Sequence, residues 1–317
     1  MNAIQIHRFG SPEVLEWNSL PDEQPKPFEV AVRIQMAALN PKDALVRKGK
    51  FTLFTGKKFP QRLGHDFAGE VVATGSQVKD LSIGDKVFGM INSWKAGAYA
   101  DRIVVPAQEI ARMPSTMSFE QGAAIPLAAL TALQALRDLG KLSPGQSVFI
   151  HGASGGVGTF AVQIAKLLGA TVTATSSSAN HALLRELGAD EVLDYAHDDL
   201  FKDKGRYAVF FDVFGNQSLQ KTAPILQKKA LYISTIPSLS IVQQVFTTYF
   251  SSKKVKLVVV KSNRTDLDWL AQQFEAGKLR AIIDQVFPIE QVAEAHRALE
   301  TKRTKGKILL QIPPAQN

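Results

Sequence analysis

The stretch VFIHGASGGVGTFAVQIAKLLGATVTATSS, residues 148–177, decides how this 317-residue chain is read. A buried strand is expected over Ser147 to His151, a helix over Val157 to Leu168 and a second strand over Thr171 to Thr175. Between the first strand and the helix stand Gly152, Gly155 and Gly158, three residues apart. In such a βαβ frame the first two glycines allow a sharp turn and a close backbone approach to a ligand, and the third lets helix and strand pack tightly. The amides that open the helix, near Gly156 and Val157, have no acceptor within it and favour an anion. A dinucleotide pyrophosphate satisfies all of this. The glycines alone are also compatible with another phosphate ligand, or with a turn that binds nothing. The pattern Gly-x-x-x-x-Gly-Lys-Ser/Thr is absent, which disfavours a nucleotide triphosphatase.

At the end of the second strand, an NAD-selective site places a carboxylate against the ribose 2′-hydroxyl. This chain has Thr175, Ser176, Ser177 and Ser178 there, followed by Asn180. With no acid to repel a 2′-phosphate and several groups able to donate to one, NADPH is expected over NADH; a polar loop and helix cap is the plain alternative. Beyond this point a helix is expected at Ala179 to Leu187, ended by Gly188. Strands follow at Glu191 to Asp194, Ala208 to Val213, Ala230 to Ser234 and Lys256 to Val260, in the alternation of a parallel sheet covered by helices. Before about Ser118 the texture differs. Short β-rich runs at Ala3 to His7, Glu29 to Met36, Phe67 to Thr74, Lys86 to Met90 and Asp101 to Pro106 suggest a small, mostly antiparallel, barrel-like domain. The tail offers helices at Asp266 to Ala276 and Ile289 to Leu299 and a strand at Lys307 to Ile312, with Pro288 and Glu290 suited to the start of the second helix.

Composition sets the outer bounds. Apolar residues make up 45% and charged residues 21%, so the chain has enough apolar surface to fold and a length that suits two domains. The absence of cysteine removes disulfides, thiolate zinc ligands, iron–sulfur clusters and thiol nucleophiles, and mildly favours the cytoplasm. The opening MNAIQIHRFG reads as a strand and not as a secretory signal, and no apolar run has the length of a membrane span. The formal charge of +8 raises nucleic acid as a partner. Its lysines come as scattered pairs (Lys57-Lys58, Lys228-Lys229, Lys253-Lys254) without interleaved aromatics, so a solvated basic surface is the expected reading.

Laid in order, several stretches resemble the medium-chain dehydrogenase/reductase superfamily, in its zinc-free quinone oxidoreductase and enone reductase branch. They are ALNPKDALVRKG (Ala38 to Gly49), LGHDFAGEVVATG (Leu63 to Gly75), IGDKVFG (Ile83 to Gly89), GAYADRIVVP (Gly97 to Pro106), AAIPLAALTALQAL (Ala123 to Leu136), the glycine turn, LGADEVLDY (Leu187 to Tyr195), FDVFG (Phe211 to Gly215) and VFPIEQVAEAHRALE through GKILL. Singly they are modest; their shared order is specific and spans nearly the whole chain.

The resemblance implies an α/β protein: a Rossmann domain with a doubly wound parallel sheet, residues 123–263, inserted into a mostly β, GroES-like barrel catalytic domain, residues 1–122 together with 264–317. The cleft between them would hold the nicotinamide. Zinc enzymes of the superfamily carry a cysteine where this chain has Asn40 and a His-Glu pair where it has His65-Asp66, so no metal is expected. The resemblance implies Asn40, Asp43 and His65 as catalytic. It assigns Thr131 to the nicotinamide side and Ser154, Gly155, Gly156 and Val157 to the pyrophosphate. Ser176, Ser177 and Asn180 go to the adenosine phosphate, Tyr195 to the adenine, and Phe214, Ser234, Thr235 and Ile236 to the far side of the cofactor. Phe51 and Phe54 join Asn40, Asp43, His65 and Phe214 around the expected substrate. Two departures stand out. Relatives carry a tyrosine after the glycine matching Gly49, where this chain reads Gly49-Lys50-Phe51. Relatives that bind a 2′-phosphate often place Lys or Arg at Ala179, a role left here to His181 or Arg185.

The implied activity is zinc-independent hydride transfer from NADPH to a quinone or to the β-carbon of an α,β-unsaturated carbonyl, in a cytoplasmic homodimer paired through residues 230–260. A nucleotide-binding structural or RNA-associated protein with little turnover is the alternative, and a reductase for a specialised metabolite a third reading.

Overall fold

The computed structural model describes residues 1–313; residues 314–317, the end of the expected catalytic domain, lie outside the described part. The chain divides into two compact units, residues 1–127 with the chain from Lys261 onward, and Ala128–Val260. The domain bounds that the resemblance implies, 122/123 and 263/264, differ by a few residues from these divisions. No helix among the described residues is long and apolar enough to cross a membrane.

The first unit opens with β1 (Asn2–Ile6), β2 (Glu16–Ser19) and β3 (Glu29–Ala38). Next come α1 (Pro41–Arg47), α2 (Thr52–Thr55), β4 (Gln61–Arg62) and β5 (Asp66–Thr74), then β6 (Lys86–Met90), β7 (Arg102–Pro106), β8 (Ile110–Arg112) and α3 (Phe119–Ala124). β1 lies between β2 and β4 in a small antiparallel sheet, and β3 pairs with both β5 and β7 in a larger one. One apolar core serves both sheets, joining Ile4 and Ile6 to Val32, Phe67, Ile103 and Leu310. Where β3 meets solvent, Arg33 stands opposite Glu70 of β5 and pairs with it, as facing positions of opposite charge should. α1 starts abruptly because Asn40 caps it, Pro41 has the φ that a first turn requires, and the Asp43 carboxylate reaches back to the Asn40 amide.

The helix α4 (Pro126–Leu133) contains the division between units, and the second unit follows. Its strands are β9 (Ser147–His151), β10 (Thr171–Ser176), β11 (Glu191–Asp194), β12 (Tyr207–Asp212), β13 (Leu226–Ser234) and β14 (Lys253–Leu257). Helices α5 (Gly156–Leu167), α6 (His181–Glu186), α7 (Leu219–Thr222) and α8 (Leu239–Thr247) lie between them in sequence. All pairs are parallel, in the order β11-β10-β9-β12-β13-β14. Counted from β9 this is 3-2-1-4-5-6, the doubly wound order whose direction reverses between β9 and β12. Register sets Phe149, Phe210 and Tyr232 side by side on adjacent strands, and their rings stack at 4.8 Å and 5.6 Å. β14 begins three residues earlier than the apolar run from Lys256 suggests. As the last strand of the sheet it tolerates lysines, and the Lys253 ammonium donates to the Ala223 carbonyl.

The glycine turn packs as the spacing requires. Gly152 has φ +81°, in the region that favours glycine, and a Cβ on Gly158 would lie 2.4 Å from the Gly152 carbonyl oxygen. A Cβ on Gly155 would meet nothing nearer than 3.9 Å. The third glycine therefore serves packing, and the second faces open space.

The chain then returns to the first unit through α9 (Arg264–Glu275), β15 (Ile283–Pro288), a 3-10 turn at Ile289–Gln291, α10 (Val292–Glu300) and β16 (Lys307–Gln311). Pro288 closes β15, so the α-helix begins later than the proline suggests, at Val292. β16 pairs with β3, Leu309 opposite Ala38, which brings Lys307 beside the start of α1. Replacing Gly158 by alanine should destabilise the protein by about 1–3 kcal/mol, because the added methyl meets backbone that cannot move aside. Urea unfolding of the variant tests this, and an unchanged midpoint would contradict the packing.

Candidate functional site

In the first unit, five buried polar residues converge where α1, β5 and β16 begin: Asn40, Asp43, His65, Asp66 and Lys307. The Asp43 carboxylate accepts from the Asn40 amide and the Tyr99 hydroxyl, each at 2.9 Å, and lies 2.9 Å from His65 Nδ1. Burial pushes the Asp43 carboxyl upward, but the hydrogen bond and charge of His65, with the charge of His296 and the Tyr99 hydroxyl, outweigh it and hold the group below the usual carboxylate range. Asp66 accepts from the Asn40 side-chain amide at 3.0 Å, the Leu127 backbone amide at 2.8 Å and the Lys307 ammonium at 3.0 Å. Lys307 also donates to Asn40 Oδ1 at 2.6 Å. Each carboxylate thus has several donors, the condition under which buried charge is tolerated. One atom is left over: among the described residues His65 Nε2 is buried without a hydrogen-bond partner.

The donor set here does not fit a zinc ion. Catalytic zinc takes three protein donors of thiolate, imidazole or carboxylate type. The chain has no cysteine, Asp66 is bonded to an ammonium, and the described residues contain no group of three His, Cys, Asp or Glu arranged to hold a metal.

In the second unit, the residues expected to hold a cofactor follow the carboxyl ends of consecutive strands. Ser154, Gly155, Gly156 and Val157 come after β9, Ser176, Ser177 and Asn180 at the end of β10, and Tyr195 after β11. Phe214 follows β12, Ser234 ends β13, and Thr235 and Ile236 come after it. Thr131 lies buried on α4. The turn after β9 and the loop after β12 are in contact, since a Cβ on Gly152 would sit 3.1 Å from the Phe214 Cβ. No side chain caps α5, whose N-cap is Gly155. Its first amides thus remain for an anion at the point where strand order reverses.

The serine loop after β10 is ordered from β11. Asp194 accepts from the Ser178 amide at 3.0 Å and the Ala196 amide at 2.8 Å, and such backbone bonds lower its pKa. The Ser176 hydroxyl donates to the Ser177 carbonyl, and Asn180 donates to the Ser177 hydroxyl. His181 Nε2 is buried there with no partner among the described residues. Two of the expected contacts are spent internally: the Thr235 hydroxyl donates to the Val213 carbonyl, and Ser234 Oγ accepts from the Ile236 amide.

Sequence reading passed over Tyr99, Asp194 and Lys307. Lys307 stood in a quoted motif, but a lysine in an apolar strand reads as an edge residue until its partner 241 positions away is known.

An open parallel sheet in the 3-2-1-4-5-6 order, with a glycine turn at its reversal, places the second unit in the Rossmann class. Residues 26–115 match the alcohol dehydrogenase GroES-like domain, and residues 187–310 the zinc-binding dehydrogenase domain. A quinone oxidoreductase of Pseudomonas aeruginosa is 32% identical over 97% of this chain and 98% of its own length. A 2-methylene-furan-3-one reductase of Solanum lycopersicum is 35% identical over 98% of this chain and 79% of its own length. The crystal structure of Escherichia coli quinone oxidoreductase complexed with NADPH superposes with a TM-score of 0.84 at 28% identity, over 98% of this chain and 100% of that one. The chain belongs to the medium-chain dehydrogenase/reductase superfamily, in the branch whose members include quinone oxidoreductases and enone reductases, and is an oxidoreductase.

Two predictions follow from the first unit's buried charges. Lys307→Met leaves Asp66 without its cation and should cost about 3–5 kcal/mol. Adding Asp66→Asn should restore most of that, as denaturant unfolding of the single and double variants will show; equal losses in both would contradict the pairing. Burial lowers the His296 pKa to about 4. An unfolded histidine titrates near 6.5, so between about pH 6.5 and 4 the unfolded chain binds the extra proton and stability falls as the solution is acidified, by about 1.4 kcal/mol per pH unit. His296→Leu should flatten that slope in urea unfolding at pH 7 to 4.5; a slope equal to that of the unaltered protein would contradict it.

Proposed function

We propose that the chain reduces a quinone or an α,β-unsaturated carbonyl with NADPH, without zinc. The observation that carries this reading is the uncapped start of α5, lying where the parallel sheet reverses order and flanked by residues from five strand ends. NADPH, when bound, supplies the hydride. The protein's part is to bind, orient and exclude water.

The amides of Gly156 and Val157, with Ser154 and Gly155, would take the pyrophosphate, and Thr131, Phe214, Ser234, Thr235 and Ile236 the nicotinamide half. Tyr195, more than half exposed, would lie along the adenine. Ser176, Ser177 and Asn180 would receive the 2′-phosphate. His181 Nε2, buried and unpartnered among the described residues, offers the further donor that Ala179 does not. No carboxylate closes β10, and Asp194 is bound to backbone amides, which supports NADPH over NADH. The related Escherichia coli enzyme, solved with NADPH, supports the same choice.

In the first unit, Asn40, Asp43 and His65 would serve the acceptor. With Nδ1 donating to Asp43, the ring is fixed in orientation and Nε2, an acceptor in the neutral ring, is left to receive a donor from the substrate or from water. Conjugation already makes quinones and enones electrophilic, so no metal is needed to polarise them. The quinone and furanone-reductase relatives support the two acceptor classes.

NADPH oxidation measured with ortho- and para-quinones and with short and long enals tests the reading. Turnover should occur with at least one class, proceed more efficiently with NADPH than NADH, and survive prolonged EDTA treatment. No turnover with any acceptor, or abolition by EDTA with recovery on adding zinc, would overturn it.

A further inference from the structure

The formal charge is not spread evenly along the chain. Between residues 213 and 265 stand seven lysines and one arginine, and no aspartate or glutamate. The other 29 basic residues are matched by 29 acidic ones, so this stretch carries the whole net charge of +8. Nearly all of it belongs to the second unit, where four of the lysines gather at one end of the sheet. Lys228 and Lys229 stand near the start of β13, and Lys253 and Lys254 open β14, with Ala230 opposite Lys253 and Leu231 opposite Lys254. Lys228, Lys229 and Lys254 are exposed. Burial, with the charges of Lys141 and Lys254, pushes Lys256 below the ordinary lysine range, a sign that cations crowd along β14.

α8 ends at the same place. Ile241 and Val245, on its inner side, pack against the core beneath. On its outer side Phe246 is 75% exposed, and the turn that follows presents Tyr249 at 65% and Phe250 at 96%, their rings edge to face at 4.9 Å. The Thr248 hydroxyl accepts from the Val255 amide at 2.8 Å and so fastens this turn to β14. The Lys254 ammonium lies 5.6 Å from the centroid of the Tyr249 ring, which brings the aromatic and the basic groups into one surface. At such exposure these rings contribute little to the core and are costly to leave in water, the mark of a surface that meets a partner.

We propose that Phe246, Tyr249 and Phe250, with Lys228, Lys229, Lys253 and Lys254 beside them, form a docking surface for an anionic phospholipid bilayer. The rings enter the boundary between headgroups and acyl chains, and the lysines lie at the level of the lipid phosphates with their stems along the apolar surface. An anionic bilayer attracts each lysine near it, and no carboxylate within the stretch opposes that attraction. A second copy of the chain fits this surface less well, because a twofold contact would turn the same lysines toward one another with no acid of the stretch between them. A nucleic acid would meet the charge but leave in water the aliphatic continuation of the face, Leu239 at 90% exposure and Val242 at 40%. Since the strands are parallel, the aromatic turn lies at their amino ends, whereas the residues expected to hold a cofactor follow their carboxyl ends. A bilayer at the one end leaves the other open.

Co-sedimentation with lipid vesicles tests the surface and needs neither cofactor nor acceptor. The protein should bind vesicles of equimolar phosphatidylglycerol and phosphatidylcholine but not vesicles of phosphatidylcholine alone, with an affinity that falls as salt is added. Lys228→Gln, Lys229→Gln and Lys254→Gln should each weaken binding about fivefold. Phe246→Ser combined with Phe250→Ser should weaken it at least about tenfold while the melting temperature stays near that of the unaltered protein, both side chains being exposed. Phe250→Trp, made alone, should shift its emission to the blue when the anionic vesicles are added. Failure to bind anionic vesicles at low salt, or binding undiminished in the lysine and phenylalanine variants, would overturn the proposal. So would a dimer in light scattering that the paired phenylalanine substitution separates, which would give the face to a second copy. Vesicles that fail to bind while a single-stranded oligonucleotide does, in a manner lost in the lysine variants, would give it to nucleic acid.

Discussion

The approach of α5 to β9 is the constraint on which the second unit depends. At Gly158 there is no room for a single methyl group, so the helix begins at one height above the sheet and no other. That fixes where its unpaired amides lie, beside the reversal of strand order between β9 and β12. Gly155, three residues before, faces open space with an extended backbone that any residue adopts. Two glycines of one motif therefore do different work, one setting the helix and the other leaving space in front of it.

The first unit solves a different problem. Two carboxylates with no exposure, Asp43 and Asp66, persist because every element around them contributes a donor. Asn40 bridges the pair, giving its backbone amide to one and its side-chain amide to the other. The cluster's cation is the Lys307 ammonium, which donates to both Asn40 and Asp66. The cost of burying these groups is offset by bonds that also hold His65 in a single orientation, with Nε2 left over.

What could be read from the sequence follows from how far apart interacting residues lie along it. The glycine turn, its helix and its strands were legible because all the contacts fall within thirty residues and carry a period of 2 or 3.6. Asn40, Asp43 and His65 are named from resemblance, while the return of the Asp43 carboxylate to the Asn40 amide at the start of α1 is shown by the structure alone. Lys307 was not legible, since only the pairing of β16 with β3 brings it to Asn40 and Asp66. The short helices α1 and α2 have too few turns to show a period. β14 was displaced because an edge strand carrying lysines does not look apolar.

The claim underlying all of this is that a dinucleotide occupies the space before α5. Gly155→Val tests it directly, because the added side chain should fit the fold while filling that space. Fluorescence titration with NADPH, run beside thermal unfolding, should show a melting temperature close to that of the unaltered protein and binding lost or weakened at least tenfold. A well-folded variant that binds NADPH as tightly as the original would contradict the account.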